Sequence, residues 1–152
     1  MNNIVIMVGA PGSGKSTFVE KYKTTHPDMV FLSSDQLRSV FGKNENDQSV
    51  SAQVFQHMER EVDRLLFENK DVCIDATNMH RKARKPWVDL AKKHSARLEA
   101  YVFVVGRDVL VERNKNRGAE GGRDVPADVI DRMLNNYVAP SKLEGFDEVN
   151  YV

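Results

Sequence analysis

The sequence predicts an α/β fold with a mostly parallel central sheet covered by helices on both faces. Strand and helix signals alternate from end to end, and helices falling between successive strands imply parallel pairing. The first apolar run, Ile4-Val5-Ile6-Met7-Val8, leads directly into a glycine-rich loop and then a helix, the order strand, loop, helix.

The elements follow in order. After the first strand and loop, a helix is expected from Thr17 to about Thr25, and Met29-Val30-Phe31-Leu32 is a short buried strand. Ser33 stands three residues before Gln36 in a capping-box pattern and opens a helix through about Phe41. Residues 42–49 are polar and looped. From Val50 to about Asn69, apolar residues recur at Val50, Val54, Met58, Val62 and Leu65/Leu66, which is helical spacing. Residues 71–75 form a third strand, and Thr77 or Asn78 caps a helix that runs to about His94 and bends or restarts at Pro86. A fourth strand spans 98–105 and a helix 108–117, followed by a flexible stretch at 118–122. Pro126 suits the first turn of a helix through about Tyr137, and 146–152 makes a last short strand. With no repeat and no long linker, residues 1–152 read as one domain.

Composition narrows the function classes. Lys plus Arg and Asp plus Glu are 22 each, so net charge neither favours nor excludes nucleic acid. Cys73, the single cysteine, lies in an apolar strand and reads as a core thiol in a reducing compartment. The four histidines fall in different segments without ligand spacing, so no zinc site is readable. No apolar run is long enough to span a membrane and the chain enters a strand without a secretory signal, so the expected location is cytoplasmic. No obligate protein partner is readable.

The loop itself is Gly9-Ala10-Pro11-Gly12-Ser13-Gly14-Lys15-Ser16, with Thr17 opening the helix. Its glycines let backbone N–H groups curl round phosphate oxygens. Lys15 can reach β- and γ-phosphates and Ser16 offers a hydroxyl to Mg²⁺, while the helix dipole points its positive end at the same place. The expected ligand is ATP or another nucleoside triphosphate with Mg²⁺.

Ligands of parallel sheets sit beyond the carboxyl ends of the strands, and the remaining candidates lie on that rim. Asp35 and Arg38 share a helical face after the second strand. Asp35 can orient a hydroxyl and accept its proton, and Arg38 can hold an anionic group on the acceptor. A helix-first-turn Asp is also favoured by the dipole alone. Asp75 closes the third strand, where it can hold Mg²⁺ through water or cap the next helix. Arg113 and Arg117 lie four apart beside the glycine-rich stretch, and they suit a lid at about 112–126 closing over the triphosphate. From Arg81 to Arg97 seven basic residues face one acid, Asp89, which is a possible track for a polyanion or simply a solvated face. Trp87 reads as a core anchor.

Together these residues resemble the kinase module of 5′-hydroxyl polynucleotide kinases. The likeness is nearest to the module in bacterial polynucleotide kinase-phosphatases of RNA repair and weaker to the bacteriophage kinases. It rests on Gly-Ser-Gly-Lys-Ser-Thr (12–17), Ser-Ser-Asp (33–35) with Arg38, Glu-Asn-Asp-Gln-Ser-Val (45–50), Asp-Ala-Thr-Asn (75–78), Ala-Arg-Lys-Pro (83–86) and Glu-Arg-Asn-Lys-Asn-Arg (112–117). The resemblance implies a kinase-like P-loop NTPase, a three-layer sandwich with a helical lid. It implies ATP-dependent phosphorylation of RNA or DNA 5′-OH ends, with Asp35 as general base, Arg38 on an acceptor phosphate, and Arg113 and Arg117 acting from the lid. The phosphatase and ligase-like modules of the larger enzymes have no counterpart in these residues. Two other readings stay open: a small-molecule kinase acting on a sugar, sugar acid or nucleoside, and a nucleotide-binding switch that transfers nothing.

Overall fold

The computed structural model describes residues 2–44, 48–121 and 125–152. Parts of the polar loop, the 45–50 block, the glycine-rich stretch and the expected lid lie outside the described residues. The strands are β1 (Asn3–Val8), β2 (Val30–Ser33), β3 (Val72–Asp75), β4 (Arg97–Val102) and β5 (Glu148–Tyr151). The helices are α1 (Lys15–Thr25), α2 (Ser34–Phe41), α3 (Ser51–Phe67), α4 (Arg81–His94), α5 (Arg107–Ala119) and α6 (Ala127–Asn135). The five strands form one sheet in the order β2-β3-β1-β4-β5, and every pairing is parallel.

β1 lies at the centre of the sheet and is apolar from Ile4 to Val8 because both of its faces are covered. Ile4, Ile6 and Val8 pack with Val54, Met58 and Val62 of α3 and with Trp87 and Val88 of α4. Val5 and Met7 face the other way, onto Val19 of α1, Cys73 and Phe103. A third cluster, Ala10, Met79, Leu110, Val125 and Ile130, sits where α5 and α6 meet the loops at the sheet's carboxyl end. Among the described residues no helix is long and apolar enough to cross a membrane.

Ser33 caps α2 as expected, its Oγ accepting from the Gln36 N–H at 3.3 Å. The cap of α4 differs from the expectation. His80 provides it, Nδ1 accepting from the Ala83 N–H at 3.2 Å, and the helix starts only at Arg81. Asn78 turns inward instead, in the left-handed region at φ 47, and its amide is used in the core. Its Nδ2 donates to the Met7 carbonyl at 2.8 Å and its Oδ1 accepts from Trp87 Nε1 at 3.1 Å. The helix neither stops nor restarts at Pro86. α5 also runs two residues further than expected, taking Gly118 and Ala119 into its last turn.

The basic run does not form a continuous track. Arg84 is fully buried: its Nε and Nη2 donate to the two carboxylate oxygens of Glu144, each at 2.8 Å, and its Nη1 donates to the Asn78 carbonyl at 2.9 Å. Lys85 pairs with Asp89, Lys93 with Asp63, and Arg97 with Glu99 and Glu148. Much of the positive charge is therefore answered by carboxylates of the same chain.

Candidate active site

The parallel register brings the chemistry-bearing loops together. Ser33 of β2 lies opposite Asp75 of β3, so Asp35, at the start of α2, stands beside the end of the neighbouring strand. β1 runs on the other side of β3 and delivers the phosphate loop to the same rim. The Gly9 N–H donates to the Thr77 carbonyl at 2.9 Å, which ties that loop to the segment after Asp75.

Gly12 and Gly14 adopt φ of 84 and 102, left-handed conformations that L side chains rarely take. Gly14 is also the N-cap of α1, a helix with no side-chain cap and no acid in its first turn. The positive end of its dipole is thus left for an external anion. Lys15 folds back along the loop, Nζ donating to the Gly9 carbonyl at 2.7 Å and the Ala10 carbonyl at 3.0 Å. The loop borders a cavity of about 920 Å³ whose wall includes Ser13, Lys15, Ser16, Thr17, Asp35, Asp75, Arg113 and Arg117.

Burial, first, pushes the Asp75 carboxyl above its ordinary range, and the nearby Asp35 carboxylate adds to that push. Lys15 pulls in the opposite direction, with smaller contributions from Lys23 and Arg117. Two acids and several cations thus act on one another across a single cavity. Asp75 and the Ser16 hydroxyl are a donor set suited to a hard cation that keeps waters and shares phosphate oxygens.

Arg38 shares a helical face with Asp35, as the spacing predicts, and it turns toward that carboxylate. It is 5% exposed, on the inner side of α2. Its Nη1 donates to Asp35 Oδ1 at 2.7 Å and its Nε to Ser51 Oγ at 3.4 Å. The guanidinium therefore bears on the candidate base itself. Arg113 and Arg117 both reach the cavity wall, and Arg113 Nη1 donates to the Gly12 carbonyl at 3.0 Å.

Sequence reasoning missed Asn114. It is fully buried on α5 and its Nδ2 donates to the Pro11 carbonyl at 2.7 Å and the Leu110 carbonyl at 2.8 Å. An amide embedded between two arginines in a helical segment was the signal. Gln36, Asn116 and Glu120 also line the cavity and were not singled out.

The model of the family described as AAA domain matches residues 4–140. Among curated proteins, the chain is 27% identical to "Transcription factor bHLH140" of Arabidopsis thaliana, over 97% of this chain and 16% of that one. It is also 27% identical to a protein of Acanthamoeba polyphaga mimivirus named as a bifunctional polynucleotide phosphatase/kinase, over 98% of this chain and 32% of that one. The chain spans a third or less of the length of the curated relatives it matches. Among solved structures, a chain of the Pnkp1/Rnl/Hen1 RNA repair complex is similar at 29% identity and a TM-score of 0.77, over 89% of this chain and 43% of that one. A gluconokinase from Sinorhizobium meliloti 1021 shares the fold, with 17% identity, a TM-score of 0.65 and coverage of 99% and 81%.

Proposed function

Because this chain belongs to the AAA domain family, we propose that it is a phosphotransferase, an ATP-dependent kinase of 5′-hydroxyl ends of RNA or DNA. The observation that carries the reading is the sharing of one cavity by the phosphate loop and the Asp35 carboxylate. A nucleotide-binding loop alone needs no such acid opposite it. The likeness to a chain of an RNA repair complex supports a polynucleotide acceptor.

In this reading the N–H groups of the loop and the Lys15 ammonium hold the β- and γ-phosphates of ATP. Gly9, Gly12, Ser13, Gly14, Ser16 and Thr17 shape and line that cradle. Asp35 orients the terminal 5′-hydroxyl and takes its proton as the oxygen attacks the γ-phosphorus. The bond from that phosphorus to the bridging oxygen breaks, and ADP leaves. Arg113 and Arg117, with Lys15, stabilise the charge that spreads over the transferring oxygens. Mg²⁺ would be held by the Ser16 hydroxyl and, through water, by Asp75, and would neutralise charge between the two phosphates. Arg38 holds Asp35 in place. The lid expected from about residue 112 would begin within α5 of a single domain, and Arg113 and Arg117 are its described arginines.

A second reading is favoured by one observation: the basic run from Arg81 to Arg97 is divided among internal ion pairs. It offers less to a polyanion than the sequence suggested, which suits a small hydroxyl acceptor such as a sugar, sugar acid or nucleoside.

Transfer of labelled γ-phosphate from MgATP to matched 5′-OH RNA and DNA oligonucleotides separates the readings. Labelled ends, with a loss of at least about a hundredfold in Asp35→Asn, are the expected result. Unlabelled ends beside ATP turnover on a metabolite pool would transfer the proposal to the small-molecule kinase.

A further inference from the structure

We propose that Asn114 is a positioning residue that brackets α5 to the phosphate loop, and so sets where Arg113 and Arg117 stand relative to the triphosphate. The proposal rests on the reading of this cavity as a nucleoside triphosphate site, and only on that part of it.

Two consecutive residues of α5 hold two consecutive carbonyls of the loop. Asn114 Nδ2 donates to the Pro11 carbonyl at 2.7 Å, and Arg113 Nη1 donates to the Gly12 carbonyl at 3.0 Å. The same Nδ2 donates to the Leu110 carbonyl one turn back in its own helix, at 2.8 Å. One amide thus spans from helix to loop, 103 residues apart in sequence. The approach is close enough to restrict the loop: a Cβ on Gly12 would stand 3.0 Å from Nδ2.

The side chain is not what stability alone would choose. Its Oδ1 is buried with no hydrogen-bond partner among the described residues, which weighs against the folded state. A leucine shares the branched outline of the side chain, with bulkier tips, and carries no polar atom to strand. The donating half of the amide therefore explains the residue, and what it donates to is the loop. Arg113 is fixed at the bracket itself, whereas Arg117 lies one turn beyond it.

The test is calorimetric titration of MgATP into the full chain carrying Asn114→Leu, alone and in an Arg113→Ala/Arg117→Ala background, with thermal midpoints measured alongside. The expected result is at least about a tenfold loss of affinity from Asn114→Leu in the wild-type background. In the arginine-free background the loss shrinks to about twofold or less, because residues acting through one another are not additive. Affinity within twofold of wild type, or an equal loss in both backgrounds, would overturn the proposal. If the leucine variant does not fold, Asn114→Ala asks less of the packing and is read against the same two comparisons. Binding of MgATP needs no acceptor, so absence of oligonucleotide phosphorylation leaves this test standing. A wild-type chain that binds no MgATP would overturn both.

Discussion

Arg38 donates to Asp35 across 2.7 Å, one turn apart on α2, with the arginine buried and the carboxylate facing the cavity. The pair makes the orientation of the proposed base a property of the helix interior, and it gives Arg38→Ala a distinctive signature. Turnover should fall at least about tenfold with MgATP affinity unchanged, since positioning of the base is lost but the phosphate loop is intact. Removing a charge-assisted hydrogen bond in this setting costs about 1.5–3 kcal/mol of stability, readable by urea unfolding. A raised KM for the acceptor with unchanged kcat would instead identify Arg38 as an acceptor ligand.

Arg84→Ala should be among the most destabilising substitutions in the chain. It strands Glu144, whose side chain is only 8% exposed, without its cation. Breaking such a buried pair costs about 3–5 kcal/mol, a fall of roughly 10 °C in thermal midpoint for a chain of this size. A drop of under 2 °C would contradict the structure.

Asp75→Asn should stabilise the nucleotide-free protein. The folded carboxyl sits above its ordinary value of 3.8, so the folded state holds that proton more tightly than the unfolded chain does. The resulting penalty is absent below 3.8 and fully present once the pH exceeds the folded value. The thermal midpoint of the variant should therefore exceed that of wild type at neutral pH, with the advantage shrinking as the solution is acidified. The same variant should lose activity, a trade of stability against function. Equal midpoints across the pH range would argue against a buried, mutually repelling acid.

Cys73 should be silent toward thiol reagents in the native protein. Its side chain is buried within the sheet, and burial pushes the thiol well above the usual cysteine range, so thiolate is scarce in mildly alkaline solution. Labelling by a disulfide reagent should keep pace with unfolding and accelerate with urea. Rapid labelling without denaturant would show that β3 opens locally.

What the sequence made legible was what is local. The phosphate loop, the Ser33 cap and the apolar period of α3 each lie within a few turns of chain, and each forms as its spacing predicts. Parallel pairing followed from the alternation of elements. What escaped notice depends on partners far away. Arg84 reads as one more surface cation until the chain returns 60 residues later with Glu144. Asn78 reads as a helix cap because its short amide suits one, yet Met7, 71 residues earlier, takes that amide and leaves the cap to His80. Arg38 was placed on the right face with Asp35, but spacing cannot tell which of two neighbours points outward. Motif positions bring Lys15, Ser16, Asp35, Asp75, Arg113 and Arg117 to one cavity wall, and the hydrogen bonds that orient them are not legible in spacing.

The strand order has a consequence for how such a chain can change. β1, which carries the phosphate loop, is central and pairs on both sides, whereas β2, which delivers Asp35, is an edge strand that pairs only with β3. Change in β2 and α2 meets β3 and α3 directly, whereas the phosphate loop on β1 stands one strand further in. In the proposed reading, that spacing lets the acceptor side of the cavity vary while the loop that would hold the nucleotide keeps its place in the middle of the sheet.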